Sequence, residues 1–114
     1  MMSDFIISTT HQLEGYKITK YIDVIFEENV FGLSLETSVQ SFGEIFKGFS
    51  GERFDAISNR IEEIKEEVKK RIIRKAIRKG ANALIGFDVE TTSRENGGIT
   101  ISMSGTAVFI EKRV

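Results

Sequence analysis

The residues from 52 to 79 constrain the fold more than any other part of the chain. Apolar side chains recur there at steps of three and four, the spacing of one helix face, at Phe54, Ile57, Ile61, Ile64, Val68 and Ile72. Acidic residues lead this stretch and basic residues end it, as a helix macrodipole favours. Gly80 stands where a glycine commonly follows a helix. We therefore predict one helix of roughly 40 Å.

Period-two alternation predicts the strands that cover this helix. From residue 16, one row of side chains is apolar (Tyr16, Ile18, Ile22, Val24 and Phe26) and the other is mainly polar (Lys17, Thr19, Asp23 and Glu27), with Ile25 as the exception. Further strands are predicted over residues 4–8, 85–92 and 99–106, and a short helix between 39 and 48. The predicted fold is α+β, a two-layer single domain over residues 1–114, with an antiparallel sheet packed on one long helix plus a short helix.

The segment Glu95-Asn96-Gly97-Gly98 predicts a hairpin between the last two strands. A three-residue loop places Phe87 opposite Ala107 and Val89 opposite Gly105, which gives one apolar face and one face of hydroxyls and carboxylates. Because a buried face fixes register strongly, we predict this pairing. Its apolar face, predicted to pack under the long helix, consists of Phe87, Val89, Ile101, Met103 and Phe109.

The apolar stripe of the helix widens after Val68, to about 180° at 100° per residue. The side chains responsible are Ile72, Ile73, Ala76 and Ile77. A single sheet does not need that much apolar surface, so we predict that these residues contact another copy of the chain. The alternative is that the segment 30–51 covers them within one chain.

Composition excludes several classes of protein. The chain of 114 residues has one histidine and a net charge of -1. It has no cysteine, and this excludes disulfide scaffolds and thiolate metal sites. Residues 69–79 hold seven basic side chains and no acidic one. They form either a patch for anions or nucleic acid or a solvated helix face. We favour the solvated face and predict no nucleic-acid partner, because no aromatic stacking platform accompanies the bases.

No leader or membrane-spanning segment is recognised, so a cytoplasmic location is expected. Asp88 and Glu90 share one strand face and are candidates for binding a hard cation or for acid–base chemistry. The only histidine, His11, cannot form a chelating cluster within one chain. Catalytic and phosphate-loop motifs are missing, so neither an enzyme nor a cofactor is predicted.

Three segments together resemble the YbjQ-like family of small bacterial proteins of unknown function. They are Ser8-Thr9-Thr10-His11-Gln12-Leu13-Glu14-Gly15-Tyr16, Gly80-Ala81-Asn82-Ala83-Leu84-Ile85-Gly86-Phe87-Asp88 and Ser102-Met103-Ser104-Gly105-Thr106-Ala107-Val108. The resemblance implies a small α/β subunit in a homopentameric ring. Some family members carry a heavy-metal-binding label, although this chain has no cysteine and one histidine.

The shared motifs suggest structural roles for Thr9, Thr10, Glu14, Gly15, Gly80, Gly86 and Gly105. Gly80 is expected to close the helix, and Gly86 and Gly105 to allow a close backbone approach. Glu14 is expected to accept hydrogen bonds from a neighbouring backbone. The function predicted is a homo-oligomeric binding or structural module. The alternative is a metal or small-ligand site between subunits that uses Asp88, Glu90 or Glu14.

Overall fold

The structure, a computed structural model, describes residues 5–32, 51–93 and 98–114. In chain order, its elements are strand β1 (Ile6–Ile7), strand β2 (Tyr16–Gly32), helix α1 (Gly51–Arg78), strand β3 (Ala83–Ser93) and strand β4 (Gly98–Lys112). The long helix is confirmed and begins and ends within one residue of the prediction. The predicted short helix and the centre of the hairpin loop lie outside the described residues.

The four strands form one sheet in the order β1-β3-β4-β2. Strand β1 runs parallel to β3, with Ile6 opposite Ala83. Strand β2 runs antiparallel to β4. The Gly15 carbonyl accepts from the Arg113 amide, and the Thr19 hydroxyl donates to the Phe109 carbonyl. The residue number therefore rises along one strand as it falls along the other. The α+β class is confirmed, but the predicted antiparallel sheet is wrong, since the sheet is mixed. A parallel pair needs a long crossover, and most of the chain lies between β1 and β3.

The chain divides into two compact units. One comprises Met1–Glu27, Lys69–Val89 and Met103–Val114; the other comprises Glu28–Val68 and Glu90–Ser102. A core cluster of the first unit contains Ala83, Ile85, Val108 and Ile110, with Ile6, Leu13, Tyr16 and Ile18 packed against it. The second unit buries Ile64, Val68, Ile99, Thr100 and Ile101. The single domain over 1–114 stays a prediction.

The middle of strand β2 faces the opposite way from the prediction, whereas its start does not, because Tyr16 and Ile18 are half-buried and pack against the core cluster. Ile25, the exception in the polar row, is 3% exposed, whereas Val24 and Phe26 are 72% and 65% exposed. The reason lies in α1, whose basic side chains pair with the acidic residues on either side of Ile25. Glu27 pairs with Lys75, and Asp23 with Lys79. Asp23 and Glu27 therefore face the helix, and Val24 and Phe26 are left exposed.

The predicted hairpin register is also wrong. The Asn82 amide donates to the Val108 carbonyl at 3.0 Å, whereas the prediction places Val108 opposite Gly86. The prediction assumed that only one face of β4 is covered. Consecutive residues Ile99, Thr100 and Ile101 are all buried, so that assumption fails. Of the predicted apolar face, Ile101 and Met103 are buried, Phe87 is half-buried, and Val89 and Phe109 are exposed.

The second half of α1 is partly covered within one chain. Ile72 and Ala76 are fully buried, Ile73 is half-buried and Ile77 is 41% exposed. A residue buried in its own chain offers no surface to a neighbour. The predicted contact with a second copy therefore stays a prediction for Ile73 and Ile77 only.

Two motif glycines act in different ways. Gly86 has φ +58°, and a Cβ there would meet nothing within 4 Å, so its backbone conformation explains the glycine rather than the predicted close approach. Gly105 does show close approach, because a Cβ there would lie 3.3 Å from the Ile85 carbonyl oxygen. Gly80 has φ +95° and lies two residues after the end of α1, as a residue that closes a helix often does.

Asn82, which the sequence analysis did not single out, joins β3 to β4. Its Nδ2 donates to the Ile110 carbonyl at 3.0 Å, and its Oδ1 accepts from the Ile110 amide at 2.8 Å. The Asn82 side chain thus bonds β4 as the backbone of a neighbouring strand would. It satisfies the part-buried amide and carbonyl of Ile110. Its place between Gly80 and Gly86 in the shared motif was the available signal.

We predict that Asn82→Ala lowers the free energy of unfolding by about 1–3 kcal/mol, because it leaves both Ile110 groups without their partner. Urea unfolding at a fixed protein concentration measures this. Asn59→Ala, at an exposed helix position, is the control and should not destabilise the protein. Equal stability of the two variants would contradict the role given to Asn82.

Candidate functional site

The first and second shared motifs contact each other directly. The Ser8 amide donates to the Leu84 carbonyl at 2.9 Å, and the Ser8 carbonyl accepts from the Phe87 amide at 3.0 Å. In a regular parallel pair of strands, one residue bonds two residues of the neighbouring strand that are two positions apart. Leu84 and Phe87 are three positions apart, so β3 carries one extra residue here. Gly86 supplies it as a β-bulge, and its amide donates to the Thr10 carbonyl at 2.9 Å.

Hydroxyl groups hold the motif turn in shape. Thr10 Oγ1 lies 2.6 Å from Ser8 Oγ and donates to the Gln12 carbonyl at 2.6 Å. The Thr10 amide in turn donates to Ser8 Oγ. The structural role predicted for Thr10 therefore has a geometric basis, whereas Thr9 and His11 are simply exposed.

The same motif leads into a groove at the start of β2. The Tyr16 amide donates to the Leu13 carbonyl at 3.1 Å, and Gly15 has φ +82°. These features describe a tight turn that requires glycine at its third position. The groove has a volume of about 590 Å³, and its lining includes Leu13, Glu14, Lys17, Ile18, Tyr21 and Arg113.

Arg113 closes one side of this groove. Its backbone amide donates to the Gly15 carbonyl at 2.9 Å, and its Nε donates to the Tyr16 carbonyl at 3.2 Å. These two bonds fix the guanidinium while leaving its terminal nitrogens available. Glu14 is exposed. It was predicted to accept hydrogen bonds from a neighbouring backbone, and no such bond is present within the described part of the chain.

The basic end of α1 binds β2. Lys75 Nζ lies 2.9 Å from Glu27 Oε2, Arg71 Nε lies 3.8 Å from Glu27 Oε1, and Lys79 Nζ lies 3.1 Å from Asp23 Oδ2. Lys75 also donates to the Phe26 carbonyl at 3.1 Å. Three of the bases that the sequence presents as one run are thus engaged by carboxylates of the same chain.

Strand β2 has an open edge and exposed apolar side chains. It is the terminal strand of the sheet, so one of its edges has no strand beside it among residues 5–32, 51–93 and 98–114. Strand periodicity places Ile22, Val24 and Phe26 on one face, and the last two are exposed, as is Tyr21 at 68%. Exposed apolar surface of this kind commonly marks a contact with another protein.

The candidate metal ligands do not come together. Asp88, Glu90 and Glu14 are all exposed, and no group of three His, Asp or Glu side chains suited to a metal occurs in the described ranges. The whole sequence has no cysteine, and soft metals select sulfur ligands. The residues described in one chain do not fit a heavy-metal site.

We predict that Glu27→Gln lowers the free energy of unfolding by roughly 0.5–1 kcal/mol, because it removes partners of Lys75 and Arg71. The loss should shrink in about 1 M NaCl, which screens charges beyond roughly 3 Å. Urea titrations at low and high salt measure both effects. Glu63→Gln, which removes an exposed pair with Arg60, is the control. A loss as large in the control would contradict the importance given to Glu27.

Comparison with known proteins extends over nearly the whole chain. A UPF0145 protein of Clostridium botulinum is 33% identical over 108 residues, covering 93% of this chain and 99% of the relative. A UPF0145 protein of Bacillus cereus is 30% identical over 105 residues, covering 92% and 99%. None of the described helices is long and apolar enough to span a membrane.

A crystal structure from Pediococcus pentosaceus, of a protein of unknown function in the DUF74 family, matches with a TM-score of 0.64 at 21% identity. It covers 94% of this chain and 98% of its own, and it supports the fold alone. The YbjQ family model, described as "Putative heavy-metal-binding", matches residues 5–111. The chain therefore belongs to the YbjQ (UPF0145) family, whose function is unknown.

Proposed function

We propose that this protein is a self-associating binding or structural module, and that the open face of β2 is one of its contact surfaces. The observation that carries the proposal is the exposure of Val24 and Phe26 on the terminal strand of the sheet. Long apolar edge strands left in water promote uncontrolled association. A defined neighbour that covers this strand removes that hazard.

A ring of identical copies requires two different surfaces. An interface that pairs a surface with itself closes as a dimer, whereas a ring forms when one surface meets a different one on the next copy. Beside the β2 face, the first unit offers the outer side of α1, where Ile73 is half-buried and Ile77 is 41% exposed. We assign these two surfaces to each other, head to tail.

The charges near these surfaces suit such a contact. Lys75, Lys79 and Arg71 are already paired with Asp23 and Glu27, so they do not place unpaired charge beside the apolar row of β2. Arg74 and Arg78 are exposed next to Ile73 and Ile77 and supply a polar rim of the kind that surrounds apolar interface centres. The family resemblance implies five copies, which we adopt as the ring size.

We predict that Val24→Lys and Ile77→Lys each reduce a ring of five copies to single chains, because each places a charge in an apolar contact. Sedimentation velocity and native mass spectrometry count the copies. Val89→Lys, at an exposed position on β3, is the matched control and should leave the mass unchanged. A wild-type protein that stays a single chain at every concentration would overturn the proposal.

Mixing the two disrupted variants tests the head-to-tail arrangement. Each retains one intact surface, and these two surfaces are complementary, so the mixture should contain species of two chains and none larger. No association in the mixture would argue against a contact between β2 and α1. A self-paired contact would instead leave Ile77→Lys associated when it is alone.

The alternative function is metal binding between copies, through Asp88, Glu90 or Glu14. The family's description as heavy-metal-binding favours it, and exposed carboxylates suit hard cations rather than soft ones. Native mass spectrometry with and without added divalent ions tests it. A bound-metal mass that disappears in Asp88→Asn would support this alternative, and an unchanged assembly mass would exclude it.

A further inference from the structure

We propose that the groove at the start of β2 binds a small zwitterion, with an α-amino acid bearing an apolar side chain as the simplest form. This inference goes beyond self-association, because every residue it uses belongs to one chain. The volume of about 590 Å³ lies within the range typical of small-molecule sites.

Two hydrogen bonds hold Arg113 in position at the groove. Nε is committed to the Tyr16 carbonyl and the backbone amide to the Gly15 carbonyl, so the side chain does not need to be ordered on binding. Its terminal nitrogens have no acceptor among the described residues. Arginine in such a fixed orientation is suited to the two oxygens of a carboxylate.

Two opposite charges at the groove have no partner among the described residues. Glu14 and Lys17 line the groove, and neither forms an ion pair or a side-chain hydrogen bond within the ranges that the structure describes. Opposite charges that face one volume without neutralising each other match a ligand that carries both signs. Lys17 and Arg113 would receive its carboxylate, and Glu14 its ammonium group. Glu14 also disfavours highly charged anions such as phosphates.

The groove also has an apolar part. Leu13 and Ile18 are half-buried and pack against the cluster of Ala83, Ile85, Val108 and Ile110, which gives the groove a firm floor. The Tyr21 ring at the rim is 68% exposed. An aliphatic or aromatic side chain of the ligand would cover these surfaces, since burying apolar area is favourable.

Isothermal titration calorimetry on the full chain tests the proposal with L-leucine, N-acetyl-L-leucine and L-leucinamide. The acetylated probe lacks the ammonium charge and the amide lacks the carboxylate, so L-leucine should bind roughly tenfold or more tightly than either. Arg113→Gln should weaken L-leucine roughly 10- to 100-fold, as the loss of charge-assisted hydrogen bonds does. Lys112→Gln, exposed beside it but outside the groove, is the control and should bind as the wild type does.

Glu14→Gln tests recognition of the ammonium group separately from recognition of the carboxylate. It should abolish the preference for L-leucine over N-acetyl-L-leucine, whereas Glu111→Gln, at an exposed position outside the groove, should keep it. No binding of L-leucine up to about 10 mM, which is weak even for a small ligand, would overturn the proposal. So would equal binding of the three probes. Sedimentation of the same samples shows whether the chain self-associates, so the two proposals can fail independently.

Discussion

The contact of the basic end of α1 with Asp23 and Glu27 determines which side of this part of β2 is covered. Glu27 and Asp23 flank Ile25, and when they meet Lys75 and Lys79 they bring that isoleucine into the core. Individual exposed ion pairs contribute little to stability. Here the ion pairs matter for orientation, because they select which face of β2 turns towards the helix around Ile25. One face of the strand is apolar and the other is mixed.

This selection explains where the sequence-based prediction fails. Period two correctly located the strand, and the helical spacing located α1 within one residue of its ends. The assignment of faces treated the row with more apolar residues as the buried one. That rule does not consider that charged residues of a neighbouring element can pair with the polar row and draw it towards the core. The run of bases in residues 69–79 was read as a solvated face, although its partner was already present among the predicted polar residues of β2.

The rest of the fold was predictable in unequal measure. The α+β class and the helix-closing glycine follow from local patterns, which a single sequence displays. The parallel pairing of β1 with β3 and the role of Asn82 depend on contacts between distant segments, and local periodicity does not encode these. The groove was not predicted, and of its charged residues only Glu14 was singled out, for a different role. Its other charged residues, Lys17 and Arg113, come from opposite ends of two strands and carry no shared motif.

The shared motifs also acquire a common explanation. The segment before β2 and the start of β3 hydrogen-bond to one another at Ser8 and Gly86, and Asn82 ties the same region to β4. Residues that resemble the family therefore lie around one junction of three strands. That junction supports one side of the groove, since Leu13 and Ile18 pack against the core cluster that contains Ala83 and Ile85.

The bulge at Gly86 has a consequence for how this strand can vary. Because one residue is inserted there, the in–out alternation of side chains before the glycine is out of phase with the alternation after it. A deletion at this point would turn the remainder of β3 over, moving inward side chains outward and the reverse. Changes in length are therefore far less tolerable at residue 86 than exchanges of side chain at its neighbours.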